Sequence, residues 1–488
     1  MADTKLKILL LALLYLFSSI SCEKHWFTFW TTYPDNSLLG LGIPEGHPKS
    51  NTELARMIGQ DGEMTTSCIS QKLGNAGYTW YVTSRMEVDL VNSKYKSFKM
   101  IRHVYDVEEN KDGSQPPRKR YGANNPTKKS TRLRRRGFTK QDDAPRQLKF
   151  LSLPESAHND LDSATQFVYD ETAGKGVRIY FVDGGINPDS DVSTQMQFCC
   201  YLANAWTGLE EFRRTQRPQI GWIFAEPFSA HRKEDLAGRG PVDGHGSCTA
   251  DLAAGAINGV AKRADITAVQ TNVFTDTFLE ALDLEISLDG MAQIYDEVVS
   301  RKYNDKAVVL LPFAWGGGGD GDVHWEAFQD AFFKVTEALL KKGVAVITGV
   351  PNGDEVCEGP PCIWGKPGND PYLPDLITVG DADINDGSHI FDPEYRDDWV
   401  TIHGPGDDRK RDANGKDTGF QCAARTGEGN NEDVIQHGTS HASALIAGLM
   451  AYIKGHGFGP KEARQKLLEL AYKRHPNGPK MPWNGVIP

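Results

Sequence analysis

The chain has 488 residues, of which 39% are hydrophobic and 24% charged. That is ordinary globular composition and excludes a wholly disordered or collagen-like protein. Lys and Arg number 54 against 65 Asp and Glu, and the formal net charge of −11 argues against general nucleic-acid binding.

The chain opens MADTKLKILLLALLYLFSSISC. Lys5 and Lys7 are followed by an apolar run over residues 8–17 and then by Ser19, Ser21 and Cys22. This is the layout of a secretory signal peptide. The run is about half of the ~20 residues that span a bilayer, and no later segment is long and apolar enough. Residues 1–22 are expected to leave on secretion, with no membrane attachment afterwards. Residues 23–106 read as a small α+β module. HWFTFWTTY and TWYVTSRMEVDLV are strand-like, and NTELARMIG suits a short helix. Residues 107–147 are polar and rich in breakers, and read as an exposed linker. The stretch 118–136 holds nine basic residues and no acid. Its clusters Arg118-Lys119-Arg120 and Arg134-Arg135-Arg136 suit a dibasic processing protease.

From 148 to 488 the pattern is different. GVRIYFV, ADITAVQ, KAVVLLPF, GVAVITGV and LITVG are strand-like, and most are apolar at consecutive positions. Such strands belong to a parallel sheet buried on both faces. Helix-like stretches lie between them, at 274–301 and 325–342. Alternating strand and helix predicts an α/β domain with a mostly parallel sheet. Catalytic groups in such domains sit at the carboxyl ends of the strands.

Eight cysteines are present, six of them after the basic stretch. An oxidising compartment predicts that some of those six pair, without fixing the connectivity. Cys357 and Cys362 are close enough for a local bridge. Cys199 and Cys200 are adjacent and are expected to pair outward. Cys248, set among small residues, also fits a buried free thiol. There is no C-x-x-C spacing for zinc and no N-x-S/T acceptor for glycosylation.

Three segments carry chemistry. Asp183 ends an apolar strand and precedes Gly184-Gly185, so its carboxylate can orient a histidine beside a tight chain reversal. His245 lies between Gly244 and Gly246 and leads into a run of small residues suited to a closely packed helix. Ser440 stands where Ala442, Leu445, Ile446, Leu449, Met450 and Ile453 begin to recur at helical spacing. A hydroxyl there can cap the helix. It can also act as a nucleophile, with the helix N-terminus facing a developing oxyanion.

In this order the three segments resemble the active-site motifs of the subtilases, the subtilisin-like serine proteases. VDGGI is similar to D-T/S-G-I, DGHGSCTADLAAG to H-G-T-x-x-A, and HGTSHASALIAGL to S-G-T-S-M-A-x-P-x-V-A-G. GVAKRADITAVQ, YLPDLITVGDAD and WVTIHGPGDD resemble further family segments in the same order. The resemblance implies a subtilisin-like three-layer α/β sandwich with a mostly parallel central sheet, preceded by the small α+β module acting as propeptide. It implies an Asp183–His245–Ser440 triad and an acyl-enzyme intermediate. GVAVITGVPNGDE is similar to the family's strand and A-A-G-N, which implies Asn352 as an oxyanion donor. KAVVLLPFAWGGGGDG is similar to the strand ending in S-L-G-G, so Ala314, Trp315, Gly316 and Gly317 are expected to line the substrate cleft. Trp315-Gly316 is also similar to the S-W-G-P of the kexin-like branch, whose further C-terminal domain is not expected after Ser440.

The motifs depart from the family at Gly184, Pro351, His437, His441 and Ala444, which marks a divergent member. The expected function is that of a secreted serine endopeptidase made as an inactive preproprotein. Its partners would be protein or peptide substrates and its own propeptide as inhibitor, with a monomeric state. No cofactor is expected for catalysis; structural calcium is a family property to which no ligands are assigned here. The alternative is a catalytically weak or inactive peptide-binding relative. An α/β-hydrolase esterase is disfavoured, because it needs G-x-S-x-G and the order Ser, acid, His. GGGGDG at 316–321 lacks the Lys-Ser/Thr of a phosphate loop, and DADINDG at 381–387 reads as a strand end rather than a calcium loop.

Overall fold

The computed structural model describes residues 24–32, 63–65, 79–87, 101–104, 137–161, 163–186, 220–225, 244–271, 284–315, 323–352, 357–388, 399–407, 420–425 and 431–486. The backbone divides into two compact units, 1–108 and 109–488. In the first, strands β1 (Lys24–Thr32), β2 (Glu63–Thr65), β3 (Thr79–Glu87) and β4 (Ile101–Val104) form a sheet in the order β2-β3-β1-β4. All three pairings are antiparallel. The two strand-like segments of the sequence are β1 and β3. The expected helix over NTELARMIG and the basic clusters lie outside the described residues.

The second unit opens with β5 (Phe138–Asp142), helix α1 (Arg146–Ser152) and β6 (Gln166–Asp170). The expected linker ran to 147, but here its last ten residues are part of the fold. β5 pairs with β6 along its whole length, and Ala144 and Gln147 are buried. The sequence FTKQD hides this because its burial alternates only between exposed and half-buried. A strand with no buried apolar face reads as polar chain.

The central sheet has seven strands: β7 (Arg178–Asp183), β8 (Gly221–Phe224), β9 (Asp265–Gln270), β10 (Ala307–Leu311), β11 (Ala345–Gly349), β12 (Ile377–Asp383) and β13 (Ile402–Asp407). Their order is β13-β12-β11-β10-β7-β9-β8, and every pairing is parallel. Side chains alternate across the sheet. Ile179, Phe181, Val308, Leu310, Ile347 and Val379 share one core with helices α2 (His245–Ala254) and α5 (Thr439–Gly455). The intervening Tyr180, Val182, Val309, Leu311 and Val346 are buried too. On that side α3 (Leu284–Arg301) packs on β7 and β8, and α4 (Val323–Lys341) on β11. Burial on both faces is why these strands are apolar without alternation. The result is the expected three-layer sandwich.

Chain order reverses between β7 and β10. From β7 the sheet grows through β9 and β8 on one side and through β10 to β13 on the other. Such a switch point opens a crevice at the carboxyl ends of its strands. A disulfide joins Cys248 on α2 to Cys422 on β14 (Phe420–Arg425), which pairs with β15 (Asn431–Gln436). Cys248 is therefore not a free thiol. Cys357 and Cys362 form the expected local bridge.

Closing a 174-residue separation restricts the unfolded chain. C248A/C422A should therefore lower unfolding stability by about 2–4 kcal/mol, read as a reduced Tm and urea midpoint.

Candidate active site

Asp183 is the last residue of β7 and only 5% exposed. The Gly184 N–H donates to its Oδ1 at 2.8 Å. Its Oδ2 lies 2.8 Å from His245 Nδ1 and accepts a longer bond, 3.4 Å, from Thr249 Oγ1. A carboxylate can only accept, so the ring carries its proton on Nδ1 and leaves Nε2 as the basic nitrogen. Thr249 follows His245 by one helical turn, so the helix that presents the imidazole also steadies the carboxylate. Close approach makes this geometry possible. A Cβ on Gly246 would overlap the Gly185 carbonyl, so the first turn of α2 rests directly on the Asp183-Gly184-Gly185 reversal.

Ser440 is the second residue of α5 and is buried. Its Oγ donates to the Pro312 carbonyl, just beyond β10, at 2.8 Å. Gly438 enters the helix at φ +116°, a conformation that side chains rarely adopt. A Cβ there would also collide with the Asn352 amide. The Thr439 N–H donates to Asn352 Oδ1 at 2.9 Å, and Thr439 Oγ1 reaches the same oxygen at 3.1 Å and the Val350 carbonyl at 2.6 Å. A main-chain N–H can bond only the oxygen end of an amide. Asn352 therefore keeps its NH2 as the outward donor beside Ser440, and the residue is exposed.

The structure thus gathers Asp183, His245, Ser440 and Asn352 at the carboxyl edge of the switch point. Ala314 packs against a small cluster of Val350, Cys357, Cys362 and Val400. Trp315 turns its ring onto Phe313 and Phe332, and its main-chain N–H donates to the Pro360 carbonyl at 2.8 Å. Gly316 and Gly317 lie outside the described residues. Among the described residues no group of three or more His, Cys, Asp or Glu stands together as a metal site. The segment 381–387 ends β12 in a turn, where Asn385 bonds Asp383 and Gly387 N–H bonds the Asp383 carbonyl.

Sequence reasoning gave no role to Thr249, Thr439, Pro312 or His441. The i,i+4 spacing from His245 was the available signal for Thr249. His441 stands where the family motif has Met. It is 3% exposed, and its ring meets that of His245 edge-on at 5.7 Å between centroids. Burial, then the neighbouring His245, push its pKa down to about 3, against a hydrogen bond to the His437 main chain that raises it. A neutral ring therefore stands beside the His245 imidazole.

The subtilase family model matches residues 174–481, and the chain belongs to that family of serine proteases. Subtilisin-like protease 4 of Trichophyton rubrum is 29% identical over 308 residues, 62% of this chain and 59% of that protein. Alkaline protease 1 of Aspergillus oryzae is 27% identical over 343 residues, 69% and 65% of the two chains. The chain spans less than two thirds of the length of these relatives. A solved cold-adapted subtilisin-like serine proteinase matches 71% of this chain and all of its own, at 18% identity and a TM-score of 0.43.

His441 gives stability a pH dependence. The unfolded chain protonates this residue below about 6.5, whereas the folded chain holds off until about 3. Its neutral state costs nothing above 6.5, and stability falls as pH drops from 6.5 towards 3. H441M should remove this component. Urea unfolding of variant and wild type between pH 7 and 4 should diverge by up to roughly 1.4 kcal/mol per pH unit, with the variant less acid-sensitive.

Proposed function

We propose that this chain is a secreted serine endopeptidase that hydrolyses peptide bonds through Asp183, His245 and Ser440. The observation that carries the reading is the 2.8 Å Asp183–His245 bond, set beside a serine at the N-terminus of a buried helix. In the proposed reaction Ser440 Oγ turns from the Pro312 carbonyl towards His245 Nε2, gives up its proton and attacks the scissile carbonyl. Asp183 stabilises the imidazolium, which then protonates the leaving amine. The Asn352 amide N–H and the Ser440 main-chain N–H at the start of α5 face the developing oxyanion. Water then attacks the acyl-enzyme by the same proton path.

Secretion and zymogen processing belong to the same proposal. They are supported by the signal-like residues 1–22, the basic clusters between 118 and 136, and a separate compact unit over 1–108. No helix among the described residues is long and apolar enough to cross a membrane. Substrates would be proteins or peptides, and the 23–106 module would act as inhibitor until cleavage in the linker.

One observation favours the alternative of a silent, peptide-binding relative. The Ser440 hydroxyl is donated to Pro312 rather than to a base. Labelling with a fluorophosphonate probe separates the two readings. Wild type should label and S440A should not; absence of labelling in folded, processed wild type supports the silent reading. N352A should retain labelling while losing about 10²–10³ in kcat on a peptide substrate. Intact mass of the secreted protein should show loss of the residues up to the basic clusters.

A further inference from the structure

The Cys357–Cys362 disulfide lies outside the reacting groups, yet it touches both walls of the candidate site. Both cysteines are buried, at 4% and 0% exposure. They pack with Val350, two residues before Asn352, and with Ala314, three residues after β10. The five-residue separation makes a tight turn, and its Pro360 carbonyl accepts the Trp315 N–H at 2.8 Å. Val350 in turn is held by the Thr439 hydroxyl, next to Ser440. The chain of contacts runs from the disulfide turn to Val350, Thr439 and Asn352 on one side, and to Ala314 and Trp315 on the other.

We propose that the Cys357–Cys362 turn is a positioning strut that fixes the Asn352 donor relative to the Ala314–Trp315 main chain. This rests on the protease reading above and adds residues to it that touch no reacting atom. The cross-link acts because both cysteines pack on Val350, two residues before Asn352 and held by the Thr439 hydroxyl. With the turn closed, the packed disulfide limits where Val350, and with it Asn352, can stand. With it open, the Val350 cluster and the Pro360–Trp315 bond must hold both walls alone. A displacement of about 1 Å at such a donor is enough to cost ~10²-fold in rate.

The test is a double-mutant cycle on the full chain, with kcat, KM and fluorophosphonate labelling as readouts. C357A/C362A should lower kcat at least ~10-fold, with KM changed less, because an oxyanion donor acts on the transition state. N352A should cost about 10²–10³ in wild type and less than about 10-fold in the C357A/C362A background, because the donor there is already out of place. N352A combined with C248A/C422A should give additive losses. If N352A costs the same with and without the Cys357–Cys362 bond, the bond serves stability alone and the proposal is overturned. A wild type that neither labels nor turns over overturns the protease reading and this one with it. Should C357A/C362A not fold, P360G keeps the disulfide and loosens the turn that bonds Trp315. The same coupling to Asn352 supports the strut, and additivity overturns it.

Discussion

Helix α5 is the constraint around which the second unit is built. Every residue from Thr439 to Lys454 is buried, so the helix has no solvent face and must be packed on all sides. Small residues make that possible. A Cβ on Gly448 would overlap the Ala253 carbonyl of α2, and one on Gly455 would press on Gly174. On the sheet side, a Cβ on Gly404 would meet the Ala442 carbonyl, and Gly349 lies against Thr439. A helix gripped along its length cannot slide or rotate without breaking many contacts at once. Ser440, in its first turn, takes its position from this packing and not from a flexible loop. Even the one charge on the helix is fixed: Lys454 donates to the Gly343 carbonyl, and burial lowers its pKa to about 8.

The electrostatics of the site follow from the same placement. The N-terminus of α5 carries the positive end of the helix dipole, which favours negative charge and disfavours positive charge nearby. In the proposed reaction Ser440 is the residue that gains from this, since an oxyanion would form there. His441, one residue on, meets the opposite condition. Its ring is buried near His245 and His437 and stays neutral well below the ordinary range. A ring held neutral thus stands beside the imidazole that Asp183 orients. The carboxylate that bonds His245 comes from the sheet, at the end of β7.

How far the sequence reveals this arrangement depends on how local each signal is. Buried parallel strands write themselves as apolar runs, so β7, β9, β10, β11 and β12 were legible. Asp183, His245 and Ser440 were legible because each sits in a short motif with its glycine neighbours. β5 was not, because its partner β6 is distant in the sequence and neither of its faces is apolar. Cys248 read equally well as a thiol, because its partner Cys422 is 174 residues away. Pro312 could not be found at all. It contributes a main-chain carbonyl, and any residue has one. Trp315 was placed in the cleft by its motif, but its ring turns onto Phe332, a contact that only the packing of α4 creates.

The two described disulfides divide their work by location. Cys248–Cys422 ties α2, three residues after His245, to a β-hairpin beyond the sheet, and closes a long stretch of chain. Such a link acts chiefly on the unfolded ensemble, whose entropy it lowers. Cys357–Cys362 closes a far shorter stretch, so its effect on the unfolded chain is smaller, about 2 kcal/mol against about 5. More of its consequence lies in the folded state, in the geometry of whatever the turn touches. It touches Val350, Ala314 and Trp315, which carry the two walls of the site. A short disulfide with the lesser thermodynamic reach is best placed where position matters more than stability, and beside the proposed oxyanion donor position would govern rate.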